Sequence, residues 1–201
     1  PMKAELETLF PGRFSFTEER AYFDYIYAQE TLAELKGKKL HGQRNHINSF
    51  KEQYPDWKFE KITADNLAEC WQMNEEWSKQ NEISDDAGLL KERTALKNAF
   101  EHFFEEELVG GLIRANGKVI AYSMGHRLNR DTFVVHFEKA FAEIRGAYQM
   151  INQQFAKHCC EGFAYINRED DTGLEGLRKA KLSYLPQILL TKYDAKLTEK
   201  A

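Results

Sequence analysis

The last quarter of the chain concentrates residue types that can bind a charged ligand and move a proton. An apolar run, residues 163–166, is followed at once by Asn167, Arg168, Glu169 and Asp170. An arginine can hold a phosphate or a carboxylate through two parallel hydrogen bonds, and a carboxylate can accept a proton from a nucleophile. Because open sheets bind ligands where strands end and helices begin, the pattern predicts a ligand site here.

The helix predicted next, residues 173–183, and the residue that follows it bring further candidates for substrate binding. These are Arg178, Lys181 and Tyr184. Helix capping is a structural alternative for part of the pattern, since Thr172 and Glu175 have the spacing of a capping box and acidic residues stabilise a helix start. Capping requires neither Asn167 nor Arg168, so it does not account for the whole cluster.

A second group of candidates lies on the strand predicted over residues 132–139. Glu138 is the candidate general base and His136 the reserve, and the two-residue period of a strand predicts both side chains on one face. Lys139 should point to the opposite face. A buried, hydrogen-bonded His136–Glu138 pair without a catalytic role is the alternative.

A basic segment without any acidic residue runs from residue 36 to residue 51. Its cations, predicted to bind the phosphates of an RNA, are Lys36, Lys38, Lys39, Arg44 and Lys51. The alternative is a solvated protein surface. His41 and His46, the two histidines of the segment, are five residues apart and have no cysteine or carboxylate pattern beside them, so no metal site is predicted.

Composition limits the remaining function classes. The 201 residues carry a net charge of −4, so contact with nucleic acid requires a local basic patch. The sequence contains no apolar run of transmembrane length and no apolar N-terminal segment typical of a signal peptide. Three cysteines, two of them adjacent, suit a reducing cytoplasm. The oligomeric state stays open.

The order of predicted elements indicates an α+β fold with a mixed central sheet flanked by helices. Two helices precede three antiparallel strands, whose first turn is the hairpin signal Asn116-Gly117. A crossover helix over residues 146–160 should make the strands at 132–139 and 162–167 parallel neighbours. The remaining elements are a helix over residues 41–54, the helix at 173–183 and a last strand at 187–193.

This order resembles the GNAT acyltransferases, and several motifs resemble the bacterial phosphatidylglycerol lysyltransferase C-terminal-domain family. The motifs are Asp24-Tyr-Ile-Tyr27, Gly37-Lys-Lys-Leu-His41, Arg44-Asn-His46, His136-Phe-Glu-Lys139, Arg145-Gly-Ala-Tyr148 and the run from Asn167 to Pro186. The family is similar to the aminoacyl-tRNA-dependent Fem transferases and usually has two GNAT-like lobes. The resemblance covers residues 14–193. It implies a GNAT-like domain over residues 57–201, with residues 1–56 as a remnant of a first lobe, and an acyl donor that binds where strands 132–139 and 162–167 splay apart.

Departures from the acetyltransferase pattern bear on the donor. The loop that binds the pyrophosphate of coenzyme A corresponds to residues 143–148, where Arg145 and Gly146 are candidate substrate-binding residues. Glu143 replaces a basic residue and Tyr148 a small one, which weakens acyl-CoA as a donor. The resemblance therefore favours aminoacyl-tRNA as the co-substrate, with transfer to the amine or hydroxyl of a small molecule or peptide. An acyl-CoA-dependent N-acetyltransferase and a non-catalytic module that binds RNA or an acidic ligand are the alternatives.

Overall fold

The computed structural model describes residues 2–81 and 87–198, which form helices and strands around one extended sheet. In chain order these are α1 (Met2–Leu9), β1 (Phe14–Glu18), β2 (Asp24–Ala28), α2 (Gln29–Glu34), α3 (His41–Gln53), β3 (Lys58–Lys61), α4 (Leu67–Asn81), α5 (Ala87–Glu101), β4 (Val109–Ala115), β5 (Lys118–Arg127), β6 (Thr132–Ala140), α6 (Ala147–His158), β7 (Tyr165–Asn167), α7 (Glu175–Leu182), β8 (Ile188–Leu190) and β9 (Tyr193–Leu197).

The central sheet has seven strands in the order β3-β4-β5-β6-β7-β2-β8. Its neighbouring strands are antiparallel except β6 and β7, which are parallel and are connected through α6. This confirms the predicted mixed α+β fold and its parallel pair, since a parallel connection needs a crossover of this length. Between β4 and β5, Asn116 and Gly117 both have positive φ, as a two-residue hairpin turn requires.

Helices cover both faces of the sheet. On one face, Tyr122 of β5 donates a hydrogen bond to Asn74 of α4 and packs against Phe100 of α5. On the other face, Phe133 of β6 packs edge-on against Phe155 of α6, with 5.7 Å between ring centroids. Each large apolar side chain buried in these layers contributes about 1.5–3 kcal/mol. The sheet is therefore a rigid support for side chains at its strand ends.

A β-bulge interrupts the pairing of β5 with β6. The register shifts beside Gly125, which leaves His136 as the extra residue of β6. A Cβ atom on Gly125 would lie 1.9 Å from the carbonyl oxygen of Val134, so the strands can approach this closely only with glycine here.

The bulge changes which face of the sheet successive residues of β6 occupy. Phe133 before it packs on Phe155 of α6, and Glu138, an odd number of residues later, accepts a hydrogen bond from Asn152 of the same helix. His136 borders a pocket that residues of α5 line on the opposite face. The prediction that His136 and Glu138 share a face is therefore wrong, because one extra residue reverses the alternation.

The two ends of the chain depart from the predicted order. The single strand expected at 187–193 is two strands, of which β8 joins the central sheet and β9 pairs with β1 in a separate two-stranded sheet. Strand β3 was not predicted. Strand β2 comes from residues 1–56 and lies between β7 and β8, so the sheet is continuous across residue 56. The domain boundary at that residue stays a prediction.

Candidate active site

The site begins where β6 and β7 part. The two strands pair only through residues 132–134 of β6 and 165–167 of β7, while β6 continues to Ala140. After β7 the chain stays beside β2, because the Arg168 N–H donates to the carbonyl oxygen of Tyr25 in β2. It thereby separates from β6. Glu138 lies in the part of β6 beyond this pairing, which is the opening expected of a GNAT-like fold.

A nearly buried ion pair lies at this opening. Arg168 Nη2 donates to Glu138 Oε1 at 2.8 Å, and the two side chains are only 11% and 13% exposed. Asn152 Nδ2 of α6 donates to the second carboxylate oxygen at 3.1 Å. The Arg168 guanidinium also lies over the rings of Tyr27 and Tyr184, 5.7 and 5.1 Å from their centroids. Tyr184 thus lines the site, because its ring packs against the Arg168 guanidinium.

The electrostatics of the pair follow from its burial. Burial alone would lower the pKa of Arg168, but the Glu138 carboxylate outweighs it and the pKa is raised. Burial raises the pKa of Tyr27 and Tyr184, so both phenols stay protonated. A buried ion pair gains little stability over apolar packing, so its presence points to a role other than stabilisation.

Three buried polar atoms around Glu138 have no hydrogen-bond partner within the described ranges. They are Ser123 Oγ, Asn152 Oδ1 and Arg168 Nη1. Ser123 of β5 is the direct cross-strand partner of Glu138, so the two side chains share a face. Unsatisfied buried groups are costly and rare, so their clustering requires a further polar partner, such as a bound water, an ion or a polar ligand. Ser123 and Asn152 were missed from sequence; their signal is a lone polar residue within an apolar strand or helix face.

The loop after β7 uses its charges to hold itself in place. Arg178 donates two hydrogen bonds to Asp171, at 2.8 and 2.9 Å, and Tyr25 donates a third at 2.5 Å. The hydrogen bonds from Arg178, and to a smaller extent the one from Tyr25, hold the pKa of Asp171 well below its usual range. Lys181 Nζ donates to the carbonyl oxygens of Arg168 and Asp170, and burial lowers its pKa to about 8.

The predicted capping box is absent. Helix α7 begins at Glu175 after Leu174, without a side-chain cap, and Thr172 has a φ of 49°. The loop N–H groups are bonded instead by acidic side chains, as the Thr172 N–H donates to Asp170 and the Gly173 N–H to Asp171. The turn of the loop therefore ends before α7 starts. Thr172 lies before the N-cap residue Leu174, so it cannot cap the helix.

Asn167 and Glu169 point away from the Glu138 pair. Asn167 is buried, donates to Asp24 of β2 at 3.0 Å and accepts from the Glu169 N–H at 2.8 Å. The Glu169 carboxylate instead accepts from His136. Lys139 points to the opposite face from Glu138, as predicted, and donates to Glu92 of α5. Of the predicted site residues, Glu138, Arg168 and Tyr184 thus converge.

Residues before α6 lie outside the cluster. Arg145 is exposed, and Gly146 is the N-cap of α6 with a φ of 86°. A Cβ atom on Gly146 would lie 2.3 Å from the carbonyl oxygen of His46, so the start of α6 is pressed against α3.

The basic segment is only partly free to bind a ligand. Lys36 pairs with Glu30, and Lys51 lies over the Trp57 ring at 5.3 Å. Arg44 donates to two carbonyl oxygens at the end of α2. Lys38 and Lys39 are exposed and have no charged partner within residues 2–81 and 87–198.

Metal and membrane features can be stated for the same part of the chain. Across the residues with assigned structure, no three His, Cys, Asp or Glu side chains group as metal ligands. No helix in those ranges has the length and apolar character needed to cross a membrane.

The mixed sheet, with a polar cluster where its parallel strands part, is the arrangement expected of a GNAT-like fold. The family model "Phosphatidylglycerol lysyltransferase, C-terminal" matches residues 2–196. The chain belongs to this family, and family and fold together support an acyl- or aminoacyltransferase.

Three relatives illustrate the likeness. A conserved protein of unknown function from Bacteroides thetaiotaomicron is 50% identical, with a TM-score of 0.93 over 98% of this chain and 67% of that one. The C-terminal domain of a protein assigned as a lysylphosphatidylglycerol synthetase, from Agrobacterium fabrum, is 15% identical and shares the fold, with a TM-score of 0.65 over 90% of this chain and 60% of that one. An uncharacterised protein of Mycoplasmoides gallisepticum is 24% identical over 178 residues, which are 86% of this chain and 56% of the relative. The chain thus spans between about half and two thirds of their lengths.

Proposed function

We propose that this chain transfers an aminoacyl group from aminoacyl-tRNA to an amine or hydroxyl group of a small-molecule or peptide acceptor in the cytoplasm. The observation that carries the proposal is the Glu138 cluster, in which three buried polar atoms beside a carboxylate lack partners among the described residues. Membership of the phosphatidylglycerol lysyltransferase C-terminal family supports the reaction type.

The free groups of the cluster match the needs of ester aminolysis. The acceptor nitrogen attacks the ester carbonyl carbon, and Glu138 takes its proton. Arg168 Nη1 and Ser123 Oγ, the unpartnered donors, stabilise the oxyanion that forms on the carbonyl oxygen. The C–N bond forms, the ester C–O bond breaks, and Glu138 returns the proton to the departing ribose oxygen. A hydroxyl acceptor follows the same steps with a C–O bond formed.

Two features favour tRNA over coenzyme A as the donor. Glu143 is exposed ahead of α6, where its negative charge opposes a pyrophosphate. Lys38 and Lys39 are exposed and available for the phosphates of an RNA backbone.

A donor competition tests the proposal. The protein is incubated with radiolabelled aminoacyl-tRNAs or radiolabelled acetyl-CoA, together with a pool of small amines and peptides. We expect label from aminoacyl-tRNA in the acceptor fraction and none from acetyl-CoA. Label from acetyl-CoA alone would establish an N-acetyltransferase, and label from neither with RNA still bound would favour a non-catalytic module.

A further inference from the structure

A pocket on the sheet face opposite Glu138 ends in a chain of three hydrogen-bonded side chains. Its volume is about 360 Å³, at the lower end of the range for small-molecule sites. His126 Nδ1 lies 2.8 Å from His136 Nε2, and His136 Nδ1 lies 2.8 Å from Glu169 Oε1. Both histidines line the pocket, and the proposed transfer uses none of these three residues.

With both imidazoles neutral, the hydrogen bonds determine which ring nitrogen atoms carry hydrogen. The Glu169 carboxylate can only accept, so His136 Nδ1 carries a hydrogen and its Nε2 is a lone pair. His126 Nδ1 must then donate, which leaves the lone pair of His126 on Nε2. Within the described ranges, no side chain or backbone group hydrogen-bonds to this Nε2 atom.

This arrangement leaves a hydrogen-bond acceptor facing the pocket. The lone pair of His126 Nε2 can accept a hydrogen bond from a donor in the pocket. The contact of His136 with the Glu169 carboxylate, at 2.8 Å, helps to hold the two imidazole rings in this orientation.

The remaining walls suit a cation with a short apolar body. Glu106 contributes a carboxylate, and the ring of Phe137 offers a surface that attracts ammonium groups. The rest of the described lining is the polar Asn98 and three apolar residues, Ala95, Ala99 and Leu108. Among these described lining residues there is no Lys or Arg to pair with an anion.

We propose that this pocket is a second ligand site, which binds a small primary amine as its ammonium ion, with Glu106 and the Nε2 lone pair of His126 accepting its N–H groups. The inference does not depend on the acyl donor. Binding of an amine here can be measured without any transfer.

The test uses n-propylamine as the probe and propionate as its anionic counterpart, followed by NMR of the protein with isotope-labelled histidine. We expect propylamine, and not propionate, to shift the ring-nitrogen resonances of His126 in a saturable way. Equal effects of the two probes, or none from propylamine, would overturn the proposal.

Variants locate the binding. His126→Gln and Glu106→Gln should each weaken propylamine binding by about tenfold or more, the effect of losing one charge-assisted hydrogen bond. His158→Gln is the matched control, since His158 stacks on Phe59 outside this pocket. Thermal unfolding verifies that each variant folds. Unchanged affinity in both folded pocket variants would contradict the site, whereas loss of transfer with intact amine binding would count only against the proposed function.

Discussion

Cations outside the loop at residues 168–173 hold that loop in place around Arg168. Asp171 is completely buried and forms ion pairs with Arg178 of α7 and with Arg20 near the N-terminus. Lys181 donates hydrogen bonds to two carbonyl oxygens of the loop. These contacts position the backbone of Arg168, which explains why cations predicted to bind substrate have structural partners instead.

Replacing Asp171 by Asn should lower the free energy of unfolding at pH 7 by about 2–4 kcal/mol, because Arg178 loses a buried partner. The pKa of Asp171 is lowered in the folded state, so its contribution is complete above the unfolded value near pH 4 and is lost as pH falls below it. Urea denaturation should therefore show a difference from wild type that narrows below about pH 4. Asp194→Asn, at an exposed pair, is the control; an equal loss there would contradict the interpretation.

Lys181 should make stability rise with pH in an alkaline window. Its folded-state pKa of about 8 is below the unfolded value near 10.4, so the unfolded chain binds more protons between them. From pH 8 to pH 10 the wild type should gain about 2 kcal/mol relative to Lys181→Met. Urea denaturation at both pH values measures this, with exposed Lys179→Met as the control. If the difference in free energy of unfolding between wild type and Lys181→Met stays constant from pH 8 to pH 10, Lys181 does not titrate in this window.

At the scale of elements, α6 fixes the site because it supplies Asn152 and its start is locked against α3. Gly146→Ala should destabilise the protein by about 2–3 kcal/mol, since alanine is strained at positive φ and its Cβ would meet the His46 carbonyl. Gly42→Ala on exposed α3 is the matched control and should be neutral or stabilising by about 0.5–1 kcal/mol. Urea midpoints compare the two. Equal urea midpoints for the two variants would mean that α3 shifts enough to make room for the added Cβ atom.

Elements with strong local signals could be predicted from sequence. The Asn116-Gly117 turn specifies the antiparallel β4–β5 hairpin, and the crossover helix α6 connects the parallel strands β6 and β7. Strand β3 has only four residues at a sheet edge, and its pairing with β4 depends on a distant segment. The division of the last segment into β8 and β9 depends likewise on β2 and β1, which no local pattern records.

The site could be predicted in part. Glu138 and Arg168 were predicted as site residues from residue type and from the strand end; the structure brings them into contact, and their roles stay a prediction. The bulge that separates His136 from Glu138 arises from contact between two strands, although Gly125 inside an apolar strand was an available signal. His126 was missed because its partner lies ten residues away across that bulge.

On the scale of the whole molecule, a net charge of −4 means that RNA can be attracted only locally. Lys38 and Lys39 are exposed cations of the basic segment with neither a charged nor an aromatic partner within residues 2–81 and 87–198. Replacing both by Ala should weaken tRNA binding and reduce the slope of log affinity against log salt by about 2. Gel shifts across salt concentrations measure the slope, with Lys118→Ala combined with Lys179→Ala as the control. An unchanged slope would remove this surface from the RNA interface.

The central claim is that Glu138 takes the proton of the acceptor during aminoacyl transfer. Its most direct test is the single-turnover rate of transfer from aminoacyl-tRNA, measured beside tRNA affinity. Glu138→Gln should lower the rate by about 100-fold or more with affinity nearly unchanged, while the exposed Glu161→Gln leaves both unchanged. A folded Glu138→Gln protein that transfers at the wild-type rate would contradict the claim.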